Sequence, residues 1–441
     1  MKRYLLTILA AYLAIGAVAQ SDRVWLSSTV RTIYETPAAN TGLNSVIVAE
    51  NTAGQQIFYR ANSSTVTWQR YSALGGGYAE DVTYTAVGDG SLSINASTDD
   101  MGYIITDGGV QYCFWVVNYA NHYYDVRAIA VESSDCDRIF LHVDNPAGDI
   151  AYYSITGRRI VLDRGIELTY NTLEYNEETV AYDQVPVTET FESLGATISA
   201  PVPLCDTQLT LSPDRFAGAW GFGEEVATDT FITQAVQART KAVQTPREAD
   251  NEQPLEAELG GSAPCEITFT AAVTDAAIYH RWEISTDAEF GESIYTDDRL
   301  EFTYTFTEEG TAYVRLTANN AAATCEYIGD TYTVTIGSSS LECPNAFSPG
   351  TSEGVNDEWK VSYRSIISFD CHIFNRWGHE LAHLTDPSQG WDGRNGGKIV
   401  GPGVYYYVIK ARGSDGKEYN LSGDINVIGS RRDNTTPATT E

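Results

Sequence analysis

The most regular alternation of apolar and polar residues lies near the C-terminal end, in residues 403–413. Alternate positions there fall on two faces: Tyr405, Tyr407 and Ile409 on one, and Tyr406, Val408 and Lys410 on the other. This period-two pattern predicts a β-strand. Asp415-Gly416 can supply the positive φ angles of a two-residue turn, so residues 417–428 are predicted to form the returning strand of a hairpin.

Short strands separated by turns are predicted along the rest of the chain. The predicted strands are 45–49, 57–61, 65–71, 92–96, 103–106, 110–118, 125–131, 138–143, 150–155, 159–162, 166–175, 209–211, 230–236, 266–273, 278–285, 300–306, 312–318, 331–336 and 369–377. Tyr, Val, Ile and Thr are frequent in them, and these residues favour strands over helices. The fold class is therefore predicted to be all-β, with tandem immunoglobulin-like β-sandwich domains.

The chain divides where its composition changes. A cleaved signal peptide is predicted at the start, where Lys2 and Arg3 precede an apolar run that ends in Ala17-Val18-Ala19. A linker is predicted in the polar segment 238–260. The predicted parts are a signal peptide 1–19, an immunoglobulin-like domain 20–133, a second β-sandwich 134–237, a linker 238–260, a third domain 261–337, a C-terminal β-sandwich 341–428 and a tail 429–441.

Charge narrows the possible partners. The formal net charge is -31, and nearly all of the excess of negative over positive side chains lies before residue 341. Such an acidic surface repels nucleic acid and anionic lipid, so neither is predicted as a partner. No stretch after the signal peptide has the ~18 apolar residues that a membrane-spanning helix needs. Together with the signal peptide, this predicts an exported protein that is either soluble or held to a membrane by something else.

The seven cysteines fit an oxidising compartment. Cys265 and Cys325 bracket the third domain, and Cys343 and Cys371 both lie in the C-terminal domain. We predict a disulfide within each of these two pairs.

Cys113, Cys136 and Cys205 leave one cysteine over. A Cys136–Cys205 pair is favoured, which would leave Cys113, in the apolar run 112–117, as a buried thiol. The alternative is a catalytic thiol, which would require a nearby histidine and an orienting group. His122 is nearest along the chain but lies in no catalytic motif, so the structural interpretation is preferred.

The string His379-Glu380-Leu381-Ala382-His383 matches the H-E-x-x-H pattern of zinc proteases. That chemistry requires a helix, because only a helix places residues i and i+4 on one face. A strand is expected here instead, and it would separate the two histidine Cα atoms by about 13 Å. No catalytic residue, metal ligand or cofactor-binding residue is therefore predicted. Two alternatives stay open: a pair of catalytic carboxylates far apart in the sequence, and calcium binding at an acidic loop.

The C-terminal segments resemble a known family. They are LECPNAFSPG (341–350), GVNDEW (354–359), SFDCHIFNRWG (368–378), DPSQGWDG (386–393) and PGVYYYVIKARGSDGKEYNLSGDINVI (402–428). In this order they resemble the gliding-motility-associated C-terminal domain, the type B sorting domain of the Bacteroidetes type IX secretion system. The resemblance implies two partners: the type IX translocon and an outer-membrane protein of the PorP/SprF type that retains cargo at the cell surface.

Residues 261–337 also resemble a family. Phe302-x-Tyr304-x-Phe306, followed by EEGTAYVRLTANN, is similar to PKD domains, although their Gly-Asp-Gly turn is missing. PKD-like modules generally serve as spacers or protein-binding platforms, so the resemblance implies a display role.

The predicted function is that of a secreted, non-enzymatic cell-surface protein with an adhesion, gliding-motility or envelope role. Tyr406 is predicted to contact the partner, since it is a large aromatic on the outward face of the C-terminal hairpin. The alternative is a secreted hydrolase with its active site in the N-terminal β domains. A deep cleft lined by His, Asp or Glu in those domains would favour the hydrolase.

Overall fold

The computed structural model describes residues 23–351 and 354–429. The predicted signal peptide, 1–19, and most of the predicted tail lie outside the described residues. The described chain is almost all β, in several sheets, and the all-β prediction is confirmed. Within the described residues no helix is long and apolar enough to cross a membrane.

The chain divides into two compact units. The first runs to Thr172 and includes Gln184–Thr233. The second comprises Leu173–Asp183 and the chain from Gln234 onward. The elements as far as residue 227 are β1 (Val24–Leu26), β2 (Thr32–Glu35), β3 (Ser45–Ala49), β4 (Gln56–Arg60), β5 (Val66–Tyr71), β6 (Glu80–Asp81), β7 (Thr85–Ala86), β8 (Ser91–Asn95), β9 (Met101–Asp107), β10 (Val110–Asn118), β11 (Ala128–Ser134), β12 (Arg138–Asp144), β13 (Ile150–Tyr153), β14 (Arg159–Leu162), β15 (Ile166–Asn176), β16 (Ala181–Phe191), β17 (Thr197–Pro201), β18 (Thr210–Leu211), α1 (Arg215–Trp220) and β19 (Val226–Ala227).

Sheets of two to six strands build this part of the chain. Their strand orders are β1-β4-β8-β7, β2-β3-β10-β9-β5-β6, β11-β12-β17, β13-β14 and β16-β15-β18-β19. Short 3-10 turns lie at Gly76–Tyr78 and Tyr119–Asn121.

Strand β10 lies inside the six-stranded sheet and is buried on both faces. Phe114 and Val116 pack into one hydrophobic cluster, and Trp115 and Val117 pack into another. Because successive strand residues point to opposite faces, the uninterrupted apolar run of β10 supplies both clusters.

From residue 238 onward, the described part of the second unit contains eighteen strands. They are β20 (Ala238–Gln244), β21 (Gly260–Gly261), β22 (Cys265–Val273), β23 (Tyr279–Ser285), β24 (Tyr295–Asp297), β25 (Glu301–Phe306), β26 (Gly310–Asn319), β27 (Glu326–Ile328), β28 (Tyr332–Ile336), β29 (Ser340–Glu342), β30 (Ala346–Phe347), β31 (Ser362–Arg364), β32 (Ile366–Phe374), β33 (Glu380–Leu384), β34 (Arg394–Asn395), β35 (Lys398–Ile399), β36 (Gly403–Gly413) and β37 (Glu418–Val427). The sheet orders are β20-β22-β25, β21-β28-β26-β23-β24 with β27 beside β26, β29-β31, β30-β37-β36-β32-β33 and β34-β35.

Two tryptophans from the C-terminal motifs anchor the core beneath the five-stranded sheet. Trp359, from GVNDEW, and Trp391, from GWDG, are both buried. Each backbone N–H donates to the other residue's carbonyl, at 2.9 and 3.0 Å. The indole N–H groups donate to the carbonyls of Pro344 and Arg394. These motifs therefore help to hold the C-terminal β-sandwich, residues 341–428, together.

Three local predictions need correction. Helix α1 was not predicted, although Asp214 caps its N-terminus and Gly221, at φ 75°, ends it. A strand is predicted for residues 230–236, but this segment forms only an isolated antiparallel bridge between Phe231 and Thr207. The predicted linker 238–260 begins with strand β20, which pairs with β22. The sequence does not indicate this strand, because its alternating residues are small and polar and do not resemble a buried face.

The predicted Cys265–Cys325 disulfide is wrong. Cys265 is a buried free thiol whose Sγ donates to the Gly260 carbonyl at 3.7 Å. It begins β22, whereas Cys325 packs beside Val273, the last residue of that strand. A nine-residue strand separates its ends by roughly 26 Å. The pair is therefore far beyond disulfide reach.

The other two predicted disulfides are also wrong. The Cys205 thiol donates to the Asn171 carbonyl at 3.6 Å, whereas Cys136 is disulfide-bonded. Cys343 and Cys371 are free thiols in the same core, and the Cys343 thiol hydrogen-bonds the Tyr407 side chain. Burial raises the pKa of Cys371 to about 12.

Cys113 is a buried free thiol on β10, as predicted. Burial raises its pKa. A nucleophilic cysteine needs the opposite shift, so the structural interpretation is supported over the catalytic one.

Candidate functional site

The outward face of the five-stranded sheet carries exposed apolar side chains along β36. Tyr406 is 45% exposed and Val408 42% exposed. Tyr405 and Tyr407 instead pack against the core. The predicted assignment of the two faces of this strand is therefore confirmed.

The inward tyrosines are held firmly. The Tyr407 ring lies 5.2 Å from Trp359, and the Tyr405 ring lies 5.4 Å from Trp391. Tyr407 also crosses Gly423 on β37, where an added Cβ would approach the Tyr407 hydroxyl oxygen to 2.7 Å. Burial raises the pKa of Tyr407 to about 12. This packing fixes the direction in which Tyr406 points.

On the same sheet, the β32–β33 hairpin brings three ionisable side chains together. His372 lies directly opposite His383 in the register, and Asp370 lies two residues before His372 on the same face. One ligand-type atom from each of the three lies within 4.8 Å of the others. This group is called the histidine cluster below.

Short polar contacts link the side chains of the histidine cluster and connect His372 to Glu380. His383 Nε2 lies 2.6 Å from Asp370 Oδ1, and His372 Nε2 lies 3.4 Å from Asp370 Oδ2. His372 Nδ1 lies 3.0 Å from Glu380 Oε2. The two imidazole rings stack 4.2 Å apart at 9°. The hydrogen bond from His383 is the main cause of a lowered pKa at Asp370.

The H-E-x-x-H string does not form a zinc-protease site. Glu380–Leu384 is a strand, as predicted, and His379 lies in the preceding turn. The histidine cluster was nevertheless missed, because His383 meets residues of the neighbouring strand and not its partner in the string. The sequence feature that could have predicted this hairpin is the turn Asn375–His379. The Asn375 side chain accepts from the N–H groups of Trp377 and His379 and so fixes the hairpin register.

The N-terminal β domains hold a buried ionic network. Arg164 Nη2 lies 2.7 Å from Asp214 Oδ2, and both side chains are almost completely buried. Asp214 also accepts from the Tyr119 hydroxyl and from the N–H groups of Phe216 and Ala217. Burial is the main cause of a raised pKa at Tyr119.

This network offers little room for substrate. Arg164 also donates to the carbonyls of Gly148 and His122, so its donors are engaged on several sides. The cavity beside Asp214 has a volume of only about 10 Å³, which fits one water molecule at most. The geometry is that of a structural ion pair, and it gives no support to a hydrolase active site at this place.

Comparison with family models identifies two parts of the chain. Residues 341–427 match the CHU_C type IX secretion signal domain, and residues 128–228 match the fibronectin type III domain. The comparison with curated proteins finds no match.

Solved structures resemble the chain only weakly. A tetra-tandem repeat from the extending region of a large adhesion protein is 14% identical, covering 86% of this chain and 96% of that one, with a TM-score of 0.21. Dimeric latent PorU from Porphyromonas gingivalis is 12% identical, covering 72% and 35%, with a TM-score of 0.16. A biofilm-associated protein BSP domain is 10% identical, covering 94% and 96%, with a TM-score of 0.16. Scores this low carry no argument about function.

The recognition of a C-terminal type IX signal with an immunoglobulin-like domain upstream is confirmed by the family matches. The chain thus carries the signal of a protein handled by the type IX secretion system, which implies a secreted, surface-attached protein.

Proposed function

We propose that the chain is a non-enzymatic surface protein with an adhesion, gliding-motility or envelope role, and that residues 341–427 deliver it. The match of those residues to the type IX secretion signal domain carries the proposal. The upstream β domains are its displayed cargo, and the PKD-like prediction for 261–337 assigns that segment a spacer role. A PorP/SprF-type outer-membrane protein is the proposed partner that retains the chain on the extracellular side.

Tyr406 is the proposed contact with that partner. Its ring lies on an outward face and is bordered along β36 by exposed Val404 and Val408. Tyrosine supplies a large, rigid contact area, and aromatic residues are enriched at the centres of interfaces. Because the C-terminal segment is nearly balanced in charge, unlike the acidic cargo, shape and apolar contact should contribute more to docking than charge steering.

The sorting role is tested by export of a chain that ends at Ser340. Asn251 Nδ2 donates to the carbonyls of Val361 and Pro387, and Ser262 Oγ accepts from the Ser365 N–H. Truncation therefore removes partners of residues 251–262 and should loosen that segment. Proteolytic mapping of the truncated chain must show that residues 24–227 stay protected. We expect this chain to accumulate in the periplasm; normal amounts at the cell surface would contradict the sorting role.

The contact role is tested by Tyr406→Asp in the full chain. The substitution places a charge on the apolar patch, so we expect the fraction retained on cells to fall and the fraction released to the medium to rise. Tyr279→Asp is the matched control, because Tyr279 is 61% exposed on β23, outside residues 341–427. Near-ultraviolet circular dichroism monitors folding. A folded Tyr406→Asp chain that is retained like the control would remove Tyr406 from the interface.

A further inference from the structure

We propose that Asp370, His372 and His383 form a binding site for a divalent transition-metal ion such as Zn²⁺. The inference concerns the sheet surface itself and does not depend on the proposed sorting role. It is carried by the hairpin register, the directions of the imidazole nitrogens and a carboxylate that supports one of the histidines.

The first step is the convergence of the ligand atoms. His372 and His383 are directly opposed on antiparallel strands, and the Nε2 atoms of both face the single carboxylate of Asp370, at 3.4 and 2.6 Å. Neighbouring ligand atoms of a tetrahedral Zn²⁺ site lie about 3.3 Å apart when the bonds are about 2.0–2.1 Å. Small changes in side-chain torsion would therefore admit an ion between groups that already surround one point.

The second step is the support of His372. Its Nδ1 lies 3.0 Å from Glu380 Oε2. When Nδ1–H donates to Glu380, the neutral imidazole directs the lone pair of Nε2 toward an oxygen of Asp370. Two acceptors then face each other, and a cation placed between them turns this unfavourable contact into two bonds. A carboxylate that accepts from the distal N–H is also the usual arrangement behind a metal-binding histidine.

The ligand set selects the class of ion. Two imidazoles and one carboxylate suit Zn²⁺, Cu²⁺ or Ni²⁺, whereas Ca²⁺ and Mg²⁺ prefer oxygen ligands. Lys410 lies opposite Asp370 on β36, and its charge opposes binding of any cation held by electrostatics alone. Three protein ligands leave at least one coordination position for water or for a donor from another molecule.

The test is calorimetric titration of the full chain, purified without a polyhistidine tag, with Zn²⁺ alone. We expect one saturable equivalent that is lost in His372→Ala and in His383→Ala. His379→Ala is the matched control: its imidazole belongs to the same H-E-x-x-H string but lies in the turn, and binding should be unchanged. Titration with Cu²⁺ should give tighter binding at the same site.

Two further variants separate ligation from a folding effect. Asp370→Asn keeps the shape of the side chain and should weaken binding. Glu380→Gln should lower the affinity roughly 10- to 100-fold, as expected for a residue that supports a ligand without touching the ion. Circular dichroism confirms that each variant is folded. Lack of saturable binding by the unmodified chain would overturn the proposal. So would folded His372→Ala and His383→Ala chains that bind Zn²⁺ as tightly as the unmodified chain.

Discussion

The Arg164–Asp214 network and the histidine cluster use similar side chains for opposite purposes. In the first unit, the Asp214 carboxylate is almost fully buried and accepts from Arg164, Tyr119 and two backbone N–H groups. In the C-terminal sheet, the Asp370 side chain is 49% exposed and is approached by two histidine nitrogens. Burial with complete hydrogen bonding makes an ionic group structural, whereas exposure leaves it available to a ligand.

The difference follows from the local backbone. Asp214 precedes α1 and is directed into the chain by its capping bonds, which align it with Arg164. Asp370 and His372 alternate with the buried residues Cys371 and Ile373 on β32 and must therefore point outward. In this outward position, their side chains meet side chains of the neighbouring strands β33 and β36 and need no buried partner.

The largest expected effect is that of Asp214→Ala. This substitution leaves the guanidinium of Arg164 buried without its carboxylate, and breaking a buried pair in this way costs about 3–5 kcal/mol. Hydrogen exchange of peptides covering residues 166–172 and 209–220 should report that loss in the free energy of local unfolding. Asp229→Ala, at an exposed position of the same unit, is the control. Equal protection in both variants would refute the structural role of the network.

Tyr119→Phe is expected to have the next largest effect. It removes the hydroxyl that donates to Asp214 at 2.9 Å but keeps the ring, which packs 5.1 Å from Trp220. Loss of a hydrogen bond to a buried charged group costs about 1.5–3 kcal/mol. The same hydrogen-exchange peptides provide the measurement. A change as large as that of Asp214→Ala would mean that the hydroxyl, and not the ion pair, dominates the network.

The sequence predicts the strands better than it predicts either ionic group. Period-two alternation identified β36, and a continuous apolar run identified β10, because both patterns reflect burial of neighbouring residues. Arg164 and Asp214 are 50 residues apart and His372 and His383 are 11 apart, so their contacts depend on pairing and register that a one-dimensional pattern does not contain. The disulfide predictions failed for the same reason: being within one domain does not place two cysteines in reach.

An effect of intermediate size is expected in the pH dependence of stability that Asp107 contributes. Its buried carboxylate accepts from Ser63 Oγ, from the N–H groups of Asn62 and Ser63 and from the Tyr59 hydroxyl. The hydrogen bond from Ser63 is the main cause of its lowered pKa. A group whose pKa is lowered by folding stabilises the protein above its unfolded pKa, about 3.9 for Asp. That stability is lost as the pH falls further.

We therefore expect the urea midpoint of the unmodified chain to fall more steeply below pH 4 than that of Asp107→Asn. Tryptophan fluorescence can follow the transition, since Trp68 is buried in the same cluster as Tyr59. Parallel pH profiles of the two chains would show that Asp107 is not the titrating group.

The smallest effect is expected for His383→Ala in the metal-free protein. His383 is exposed, and its contacts with Asp370 and His372 lie at the surface, where ion pairs and hydrogen bonds compete with water. We expect the free energy of unfolding to change by less than about 0.5 kcal/mol in the presence of a chelator. With Zn²⁺ added, the unmodified chain should gain stability because the ion binds only the folded hairpin, and His383→Ala should not. A large loss of stability with chelator present would instead class the histidine cluster with the Asp214 network, as a structural element of its sheet.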